Sequence, residues 1–405
     1  MKIKSLLLGS AAAMMAVSTA QAADIIIPEP EVVEYVRVCD AAGTGFFYIP
    51  GTETCLRIHG YVRYDLGFGE LNDRNAADGE ETWNTRARAA FRVSTWADTE
   101  YGPLRTFVET RWQWDTNGGP NGVGENRRVV NGNNPDWTLG PNGYTTGDEF
   151  SINFAYIDLA GLRIGKDESF FTTFTGYGGA VINDTTAGGY GPFDTNLISY
   201  TFNSGAFSAG ISLEQGDDSR LTDADFGGVF DTYNGWGIDD YVPHIVAGAG
   251  YDSGAFQIRG VFAYDTRNNF ANPDPTPPAG QPAVFQQGGW SGKIRGDVDF
   301  DPFSAFVMVM YGENSSAYTT WANGPVTAET LSIMGGASFD FTDQATFNTQ
   351  VQWAEGNGIG DEWAVAANVN YEIVNGFIVR PEVVYYNNNA GNDVFGGTLR
   401  FERSF

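Results

Sequence analysis

The chain has very little cysteine, histidine or positive charge. Its 405 residues include two cysteines and two histidines, and 50 aspartates and glutamates outnumber the 23 lysines and arginines. With a formal net charge of −27, binding to nucleic acid is disfavoured because the electrostatic contribution is repulsive. His59 and His244 are too few for a metal centre of the histidine and cysteine type, so the sequence predicts no metal and no other cofactor.

Long apolar runs are also scarce. Near the start, Lys2 and Lys4 precede the apolar segment 6–17 and the small-residue motif 20–22. This order is typical of a secretory signal peptide, which predicts residues 1–22 as the signal. An N-terminal membrane helix is the rival interpretation, but the apolar run is short for one. Beyond residue 22 no run approaches the roughly 18 apolar residues that a spanning helix needs.

The two cysteines are Cys39 and Cys55. An exported chain meets an oxidising compartment, and an even number of cysteines leaves none unpaired. We therefore expect a Cys39–Cys55 disulfide. Cys39 lies in residues 23–54, a segment that precedes the first clear strand and that we place in the periplasm.

In place of long apolar runs the chain has alternation. Between Leu56 and Phe68 every second residue is apolar or glycine, and the residues between include Arg57 and Asp65. Side chains of a strand alternate between its faces, so this segment has one apolar and one polar face. Similar patterns predict sixteen strands, at about 56–68, 83–96, 104–114, 150–158, 162–166, 196–202, 206–214, 243–251, 256–265, 289–300, 305–311, 329–339, 345–353, 363–371, 377–386 and 394–405.

Short and long connections alternate between these strands. The short ones, such as Asn203-Ser204-Gly205, have the composition of tight turns, whereas the long ones are acidic or rich in glycine and proline. Because an open sheet edge is not viable in lipid, residues 55–405 are predicted to form an all-β, antiparallel transmembrane barrel. Its short turns would lie in the periplasm and its long loops outside. A secreted sandwich or propeller is the alternative, but it gives no reason why short and long connections should alternate.

Three stretches carry a family resemblance. The run VRVCDAAGTGFFYIPGTETCLRIHGYVRYDLGFG, residues 36–69, resembles the start of the mature outer-membrane porins of alphaproteobacteria. LRIGKDESFFTTFTGYGG, residues 162–179, and the terminal Phe405 are similar to that family too. The resemblance implies a general diffusion porin: a sixteen-stranded channel of the bacterial outer membrane, assembled as a homotrimer, with its third loop folded into the lumen. It says little about the variable loops 115–149 and 215–242.

The resemblance also implies the partners of the chain. Outer-membrane lipid and lipopolysaccharide would surround the barrel, and small hydrophilic solutes and ions would pass through it. The barrel-assembly machinery would read Phe405 as an assembly signal, although a buried terminal strand can also end in phenylalanine. The acidic clusters of loop 215–242 suit divalent cations that bridge lipopolysaccharide, yet such runs are more often simply solvated.

If the apolar face meets lipid, seven arginines of the first three strands point into the lumen. This basic wall consists of Arg57, Arg63, Arg86, Arg88, Arg92, Arg105 and Arg111. We predict that it lines the constriction, where ionisable residues set selectivity. The strand directions predict four of its members at mid-height or above: Arg63, Arg86, Arg88 and Arg111. The alternative is that these arginines are ordinary ion-pair partners, for example of Glu109 and Asp65.

The third long loop, residues 167–195, has acidic residues and no basic one. Its acids are Asp167, Glu168, Asp184 and Asp194. The family resemblance puts this loop inside the barrel, where its acids would face the basic wall and create a transverse field. The alternative is a loop on the outer surface, where most loops lie. A cluster of aromatic residues between Phe170 and Tyr177 favours packing against the interior.

Nothing in the sequence indicates catalysis. A hydrolase needs a histidine beside a serine nucleophile, or a metal constellation, and the two histidines lie in different predicted strands. We therefore predict a channel for passive diffusion and not an enzyme. A substrate-specific channel for sugars or oligosaccharides is the alternative, which a line of aromatic residues along the lumen would favour. A closed structural or adhesive barrel is a third hypothesis.

Overall fold

The computed structural model describes residues 36–70, 83–116, 147–216, 220–221, 232–233, 236–271, 284–356, 360–387 and 393–405. The chain divides into a first unit, 1–38, of which 36–38 are described, and a compact unit, Cys39–Phe405. Sixteen antiparallel strands of the second unit form a closed barrel, in which the last strand pairs with the first. Within the described ranges, no helix is long and apolar enough to span a membrane.

All sixteen predicted strands are present. They are β1 Cys55–Gly69, β2 Asn84–Ala97, β3 Leu104–Asp115, β4 Gly147–Leu159, β5 Leu162–Asp167, β6 Thr195–Ser204, β7 Phe207–Gln215, β8 His244–Asp252, β9 Phe256–Asp265, β10 Gly289–Phe300, β11 Phe303–Glu313, β12 Glu329–Thr342, β13 Ala345–Ala354, β14 Glu362–Val374, β15 Phe377–Asn387 and β16 Asp393–Ser404. Several extend past their predicted bounds, because pairing on both sides keeps polar strand ends in the ladder.

The two faces of the barrel follow the predicted alternation. On β1, Ile58, Val62 and Tyr64 are exposed on the outer face, whereas Tyr61 and Asp65 are buried on the inner face. The same alternation continues around the barrel, with an apolar outer face and a polar inner face, as in membrane barrels. The apolar face is therefore the one that meets lipid.

The strand ends have the predicted asymmetry. Connections of two to six residues join β2 to β3, β4 to β5 and each later pair in turn, all at the end where β1 begins and β16 finishes. We call this the short-turn end and the opposite one the long-loop end. Since β1 starts at the short-turn end, residue numbers on the odd strands increase toward the long loops.

The barrel closes at Gly60 and Phe405. The backbone N–H of each residue donates to the carbonyl oxygen of the other, at 3.0 Å in both directions. A Cβ at Gly60 would lie 2.1 Å from the carbonyl oxygen of Ala90 and 3.1 Å from the Phe405 ring. Glycine is therefore required where the terminal ring covers the seam between β1 and β16.

The predicted disulfide is present. Cys39 and Cys55 are bonded, both side chains are fully buried, and their Cα atoms are 6.0 Å apart. The short strand Phe47–Tyr48 pairs antiparallel with the start of β1. A cross-link that closes a loop of this length stabilises a fold by about 3 kcal/mol by restricting the unfolded chain. Residues 39–54 are thus fastened to the first strand.

Among the connections that the structure describes, two fold into the barrel. The β5–β6 connection, residues 168–194, is the infolded third loop that was predicted, and we call it the constriction loop. It begins with the single helical turn α1, Phe170–Thr173, whose N-cap Ser169 accepts a hydrogen bond from the N–H of Phe171. The β11–β12 loop, residues 314–328, also turns inward and buries Tyr318 and Trp321 completely. This second inward loop was not predicted from the sequence.

Candidate functional site

The arginines of the basic wall all lie on the lumen face of β1, β2 and β3, but at different heights. Cross-strand pairing places Arg63 opposite Arg88 and Asp65 opposite Arg86. By contrast, Arg57 lies near the short-turn end. The β2–β3 register places Arg111 one row below Arg63 and Arg88, and Arg92 one row lower still. It places Arg105 close to the short turns.

Asp65 organises the upper part of the wall. Its carboxylate accepts hydrogen bonds from Arg400 Nε at 2.7 Å and Nη2 at 3.0 Å, and Arg63 Nε lies 3.3 Å away. Arg400 comes from the last strand, β16, and Arg380 from β15 donates to Asn370 on the same side of the lumen. Sequence reasoning missed both arginines, because only closure of the barrel brings β15 and β16 next to β1.

Glu109 likewise binds two arginines, closer to the short-turn end of the wall. It is fully buried and accepts from Arg92 Nε at 2.5 Å and from Arg111 Nε at 2.6 Å. Arg88 Nε donates to Gln113 at 2.7 Å. Several arginines thus have ion-pair partners, but each buried acid holds two of them, so the wall keeps a net positive charge.

The middle of the constriction loop, residues 182–184, is hydrogen-bonded to β13 and β15. Glu382 accepts hydrogen bonds from the backbone N–H of Ile182 and, at 2.8 Å, from the backbone and side-chain nitrogens of Asn183. Gln350 Nε2 donates to the carbonyl oxygen of Asp184 at 2.7 Å. Because β13 lies eight strands from β5 in a closed barrel of sixteen, the loop spans the lumen from one side to the other.

The near end of the same loop is held by Glu214 of β7. This carboxylate, 1% exposed, accepts from Ser169 Oγ and from the backbone N–H of Phe170, both at 2.7 Å. It also accepts from the Tyr318 hydroxyl at 2.9 Å. One buried carboxylate therefore joins both inward loops to the barrel wall.

The two inward loops also bind each other directly. The N–H of Gly189 donates to the carbonyl oxygen of Thr320 at 3.0 Å, and the N–H of Gly191 donates to its hydroxyl at 2.8 Å. A Cβ at Gly188, where φ is +109°, would lie 2.7 Å from Trp321 Cα. The close approach of the two backbones therefore requires glycine at position 188.

Two of the four acids predicted for the constriction loop have basic partners at its base. Asp167 is 3% exposed and accepts from Arg163 Nη1 at 2.6 Å. Asp194 pairs with Lys166, which also donates to a backbone carbonyl of β4 at 2.9 Å. These two acids fasten the ends of the loop to neighbouring strands.

The other two acids, Glu168 and Asp184, have tyrosine hydroxyls as partners, and Tyr190 donates to Asp184 at 2.7 Å. Burial raises the pKa of Glu168 to about 7, and Tyr177 donates a hydrogen bond to its carboxylate. Burial likewise raises the pKa of Asp184 to about 6. Arg111 opposes the shift at Glu168 and Arg400 opposes it at Asp184, since a nearby positive charge favours the ionised acid. The two acids are thus within electrostatic reach of arginines on the wall.

His244 has no free nitrogen for a ligand. Its Nδ1 accepts from the N–H of Thr266 at 3.0 Å, and its Nε2 lies 2.8 Å from the carbonyl oxygen of Trp236. The described part of the chain brings no group of three or more histidine, cysteine, aspartate or glutamate side chains together as metal ligands.

A closed barrel of sixteen strands is wide enough for a water-filled lumen, and its selectivity is set by charges at the narrowest level. The fold and the charged lumen define a membrane channel for small polar solutes. The family model described as "Porin subfamily" matches residues 24–399, and the chain belongs to this family.

Individual relatives agree with the family. The porin Omp2b of Brucella neotomae is 45% identical over 418 residues, which cover 100% of both chains. The channel DcaP of Acinetobacter baumannii has a TM-score of 0.58 at 13% identity, covering 88% of this chain and 99% of that one. An anion-selective porin from Comamonas acidovorans has a TM-score of 0.54 at 14% identity, covering 87% and 100%.

The solved structures share the fold, and the family supplies the function. The protein is a porin of the bacterial outer membrane, a channel through which small hydrophilic solutes diffuse passively. The predictions of fold, function and location are thereby confirmed.

Proposed function

We propose that ions and small solutes are sorted in the gap between the basic wall and the constriction loop. The observation that carries this proposal is that Asn183, next to Asp184, hydrogen-bonds to side chains of β15 and β16, the strands that carry Arg380 and Arg400. Wall and loop then form two sides of one narrow passage. Arg63, Arg86, Arg88 and Arg111, with Arg380 and Arg400, form its basic side.

The gap acts on solutes through its transverse field. Opposite charges across a narrow passage with low-dielectric walls orient a dipolar solute and draw anions toward one side and cations toward the other. Arg57, Arg92 and Arg105 continue the basic side toward the short-turn end. Passage needs no cofactor, covalent step or energy coupling.

Replacing Arg86 and Arg88 by glutamine tests the basic side. Removal of two positive charges should shift the reversal potential toward cations in a planar bilayer under a KCl gradient. Arg403→Gln is the matched control, because Arg403 lies on the outer parity of β16 and donates to a backbone carbonyl near a short turn. An unchanged reversal potential in the double variant would show that neither arginine contributes to ion selectivity.

We also propose that three barrels assemble in outer-membrane lipid and lipopolysaccharide, after insertion by the barrel-assembly machinery. Small side chains on the outer face support contact between barrels: Ala87, Ala89, Thr106 and Thr110 lie between larger apolar residues of β2 and β3. Small residues allow close packing of proteins in a membrane. The same bilayer recordings test this, since a trimer inserts as conductance steps in groups of three.

A further inference from the structure

Four ring side chains lie on the lumen face where a water-filled barrel normally carries polar residues. His59 on β1, Phe107 on β3 and Phe154 and Tyr156 on β4 are only partly buried. By comparison, the rings of Tyr61 and Trp321 inside the barrel are buried, at 7% and 1% exposed. We call these four residues the aromatic patch.

The patch is continuous. The ring centre of Phe107 lies 6.4 Å from that of His59, 5.7 Å from Phe154 and 5.5 Å from Tyr156. Phe107 pairs directly with Tyr156 in the β3–β4 register. On β1, His59 is four residues below Arg63, about 13 Å along the strand at the rise of an extended chain. A solute entering from the long-loop end therefore meets the charged gap first and the patch next.

Two guanidinium groups flank the patch, and neither has an acid partner among the residues that the structure describes. Arg57 lies in the same cross-strand row as Phe107, and Arg105 precedes Phe107 by two residues on the same face. Asp158 is opposite Arg105 in the register, but Arg163 occupies its carboxylate, at 2.7 and 3.0 Å. Within the described ranges, neither Arg57 nor Arg105 has an ion pair, so both have positive charge available to a solute.

One guanidinium group already stacks on a ring of the patch. Arg163 lies over the Tyr156 ring, with 4.0 Å between Cζ and the ring centre. Its charge is matched by Asp158 and Asp167, so Arg163 adds ring contact without attracting an anion. Apolar ring surface and unmatched positive charge thus lie side by side on one wall.

We propose that the aromatic patch, with Arg57 and Arg105, is a weak binding site for small carboxylates that carry a ring. The flat side of the solute ring packs against Phe107 and Tyr156, and its carboxylate pairs with a guanidinium group. Sugar acids and aromatic acids share this chemistry. Binding is weak because the rings remain partly open to water, and a channel site must release its solute. The inference rests on the proposed function and names one solute class for it.

Single-channel recording in KCl tests the proposal with four probes of known chemistry. Glucuronate and benzoate each have a ring and a carboxylate, glucose has a ring alone, and acetate has a carboxylate alone. We expect both ring carboxylates to reduce or interrupt the current, with half-maximal effect on the order of millimolar, and the other two to have no effect at that concentration. An effect of benzoate alone assigns the site to aromatic acids, and one of glucuronate alone assigns it to sugar acids. No effect of either overturns the proposal.

Variants locate the site. Phe107→Leu combined with Tyr156→Leu keeps apolar side chains but removes two rings, and it should weaken the effect of the ring carboxylates about tenfold. Arg105→Gln should weaken it as well. Trp112→Leu is the control, because Trp112 lies on the same strand but on the lipid face, and it should leave the effect unchanged. Equal weakening in the control would overturn the proposal.

The outcome is separable from that of the charged gap. The Arg86→Gln, Arg88→Gln variant should change the reversal potential in KCl and still respond to glucuronate or benzoate. A response without any change in reversal potential would reject the gap and keep the patch. A changed reversal potential without a response would do the reverse.

Discussion

At the scale of single residues, three buried carboxylates inside the barrel each bind more than one donor. Asp65 and Glu109 each hold two arginines, and Glu214 holds donors from two loops. A buried carboxylate has to be matched by charge or hydrogen bonds, and sharing it orients two donors at once. The arginines are therefore held in place while the wall stays positive.

Acidification should shift the selectivity of the channel toward anions. The pKa values of Glu168 and Asp184 are raised to about 7 and about 6, so their negative charges are present above those values and lost as the pH falls through them. The reversal potential in a KCl gradient should move in the anion direction between about pH 8 and pH 5.

Two variants isolate the contribution of the loop acids. Glu168→Gln should remove the part of the shift near pH 7, because the amide does not titrate. Asp240→Asn, which changes an exposed acid of the β7–β8 loop, should leave the pH dependence as it is. A pH profile that is flat in the unmodified protein would show that these acids do not act on the permeating ions.

At the scale of the elements, two inward loops act as one body. The constriction loop is fastened at its start to Glu214 and in its middle to Glu382, and Thr320 of the β11–β12 loop bonds to it near its end. Buried backbone donors need acceptors, and here side chains supply them in place of regular secondary structure. The width of the gap thus depends on both loops.

Glu214→Gln should loosen this double loop. An amide NH2 group, which cannot accept, replaces one of the two carboxylate oxygens that accept from Ser169, Phe170 and Tyr318, and a buried donor left without a partner costs about 1–3 kcal/mol. We expect noisier open-channel current and a wider spread of single-channel conductance. Glu329→Gln is the control, since Glu329 accepts from the Tyr311 hydroxyl at an exposed position. Quiet current in the Glu214 variant would contradict the role of this carboxylate.

At the scale of the whole molecule, closure depends on the last residue. Phe405 makes two backbone hydrogen bonds to Gly60, and its ring covers the space where that glycine has no side chain. Two such bonds contribute about 1–3 kcal/mol. The residue proposed as an assembly signal is thus also part of the seam.

Deletion of Phe405 should lower the amount of assembled barrel. Heat-modifiable mobility of outer-membrane fractions on a gel measures it, because a folded barrel migrates differently before boiling. Phe405→Tyr keeps the ring and the backbone pairing and should assemble as the unmodified chain does. Equal amounts of folded protein after the deletion would show that the terminal residue contributes neither to the seam nor to assembly.

The sequence was informative wherever the pattern is local. Alternation placed Arg63, Arg88 and Glu109 on the lumen face, and the cysteine count paired Cys39 with Cys55. Composition did not distinguish an inward loop from an outer one, so the course of residues 314–328 was missed. Nor did it separate the acids that fasten the constriction loop from the acids that face the gap, since that depends on which basic residue is nearest.

The sequence by itself determined the strands, their two faces and the short-turn end, because side chains alternate along any extended chain whatever surrounds it. Only the tertiary structure decided which lumen residues meet. Asp65 and Arg400 are 335 positions apart, and Glu214 and Tyr318 are 104 apart. Such pairs come into contact only when the barrel has closed and both loops have entered it, so they depend on the whole chain and not on any segment.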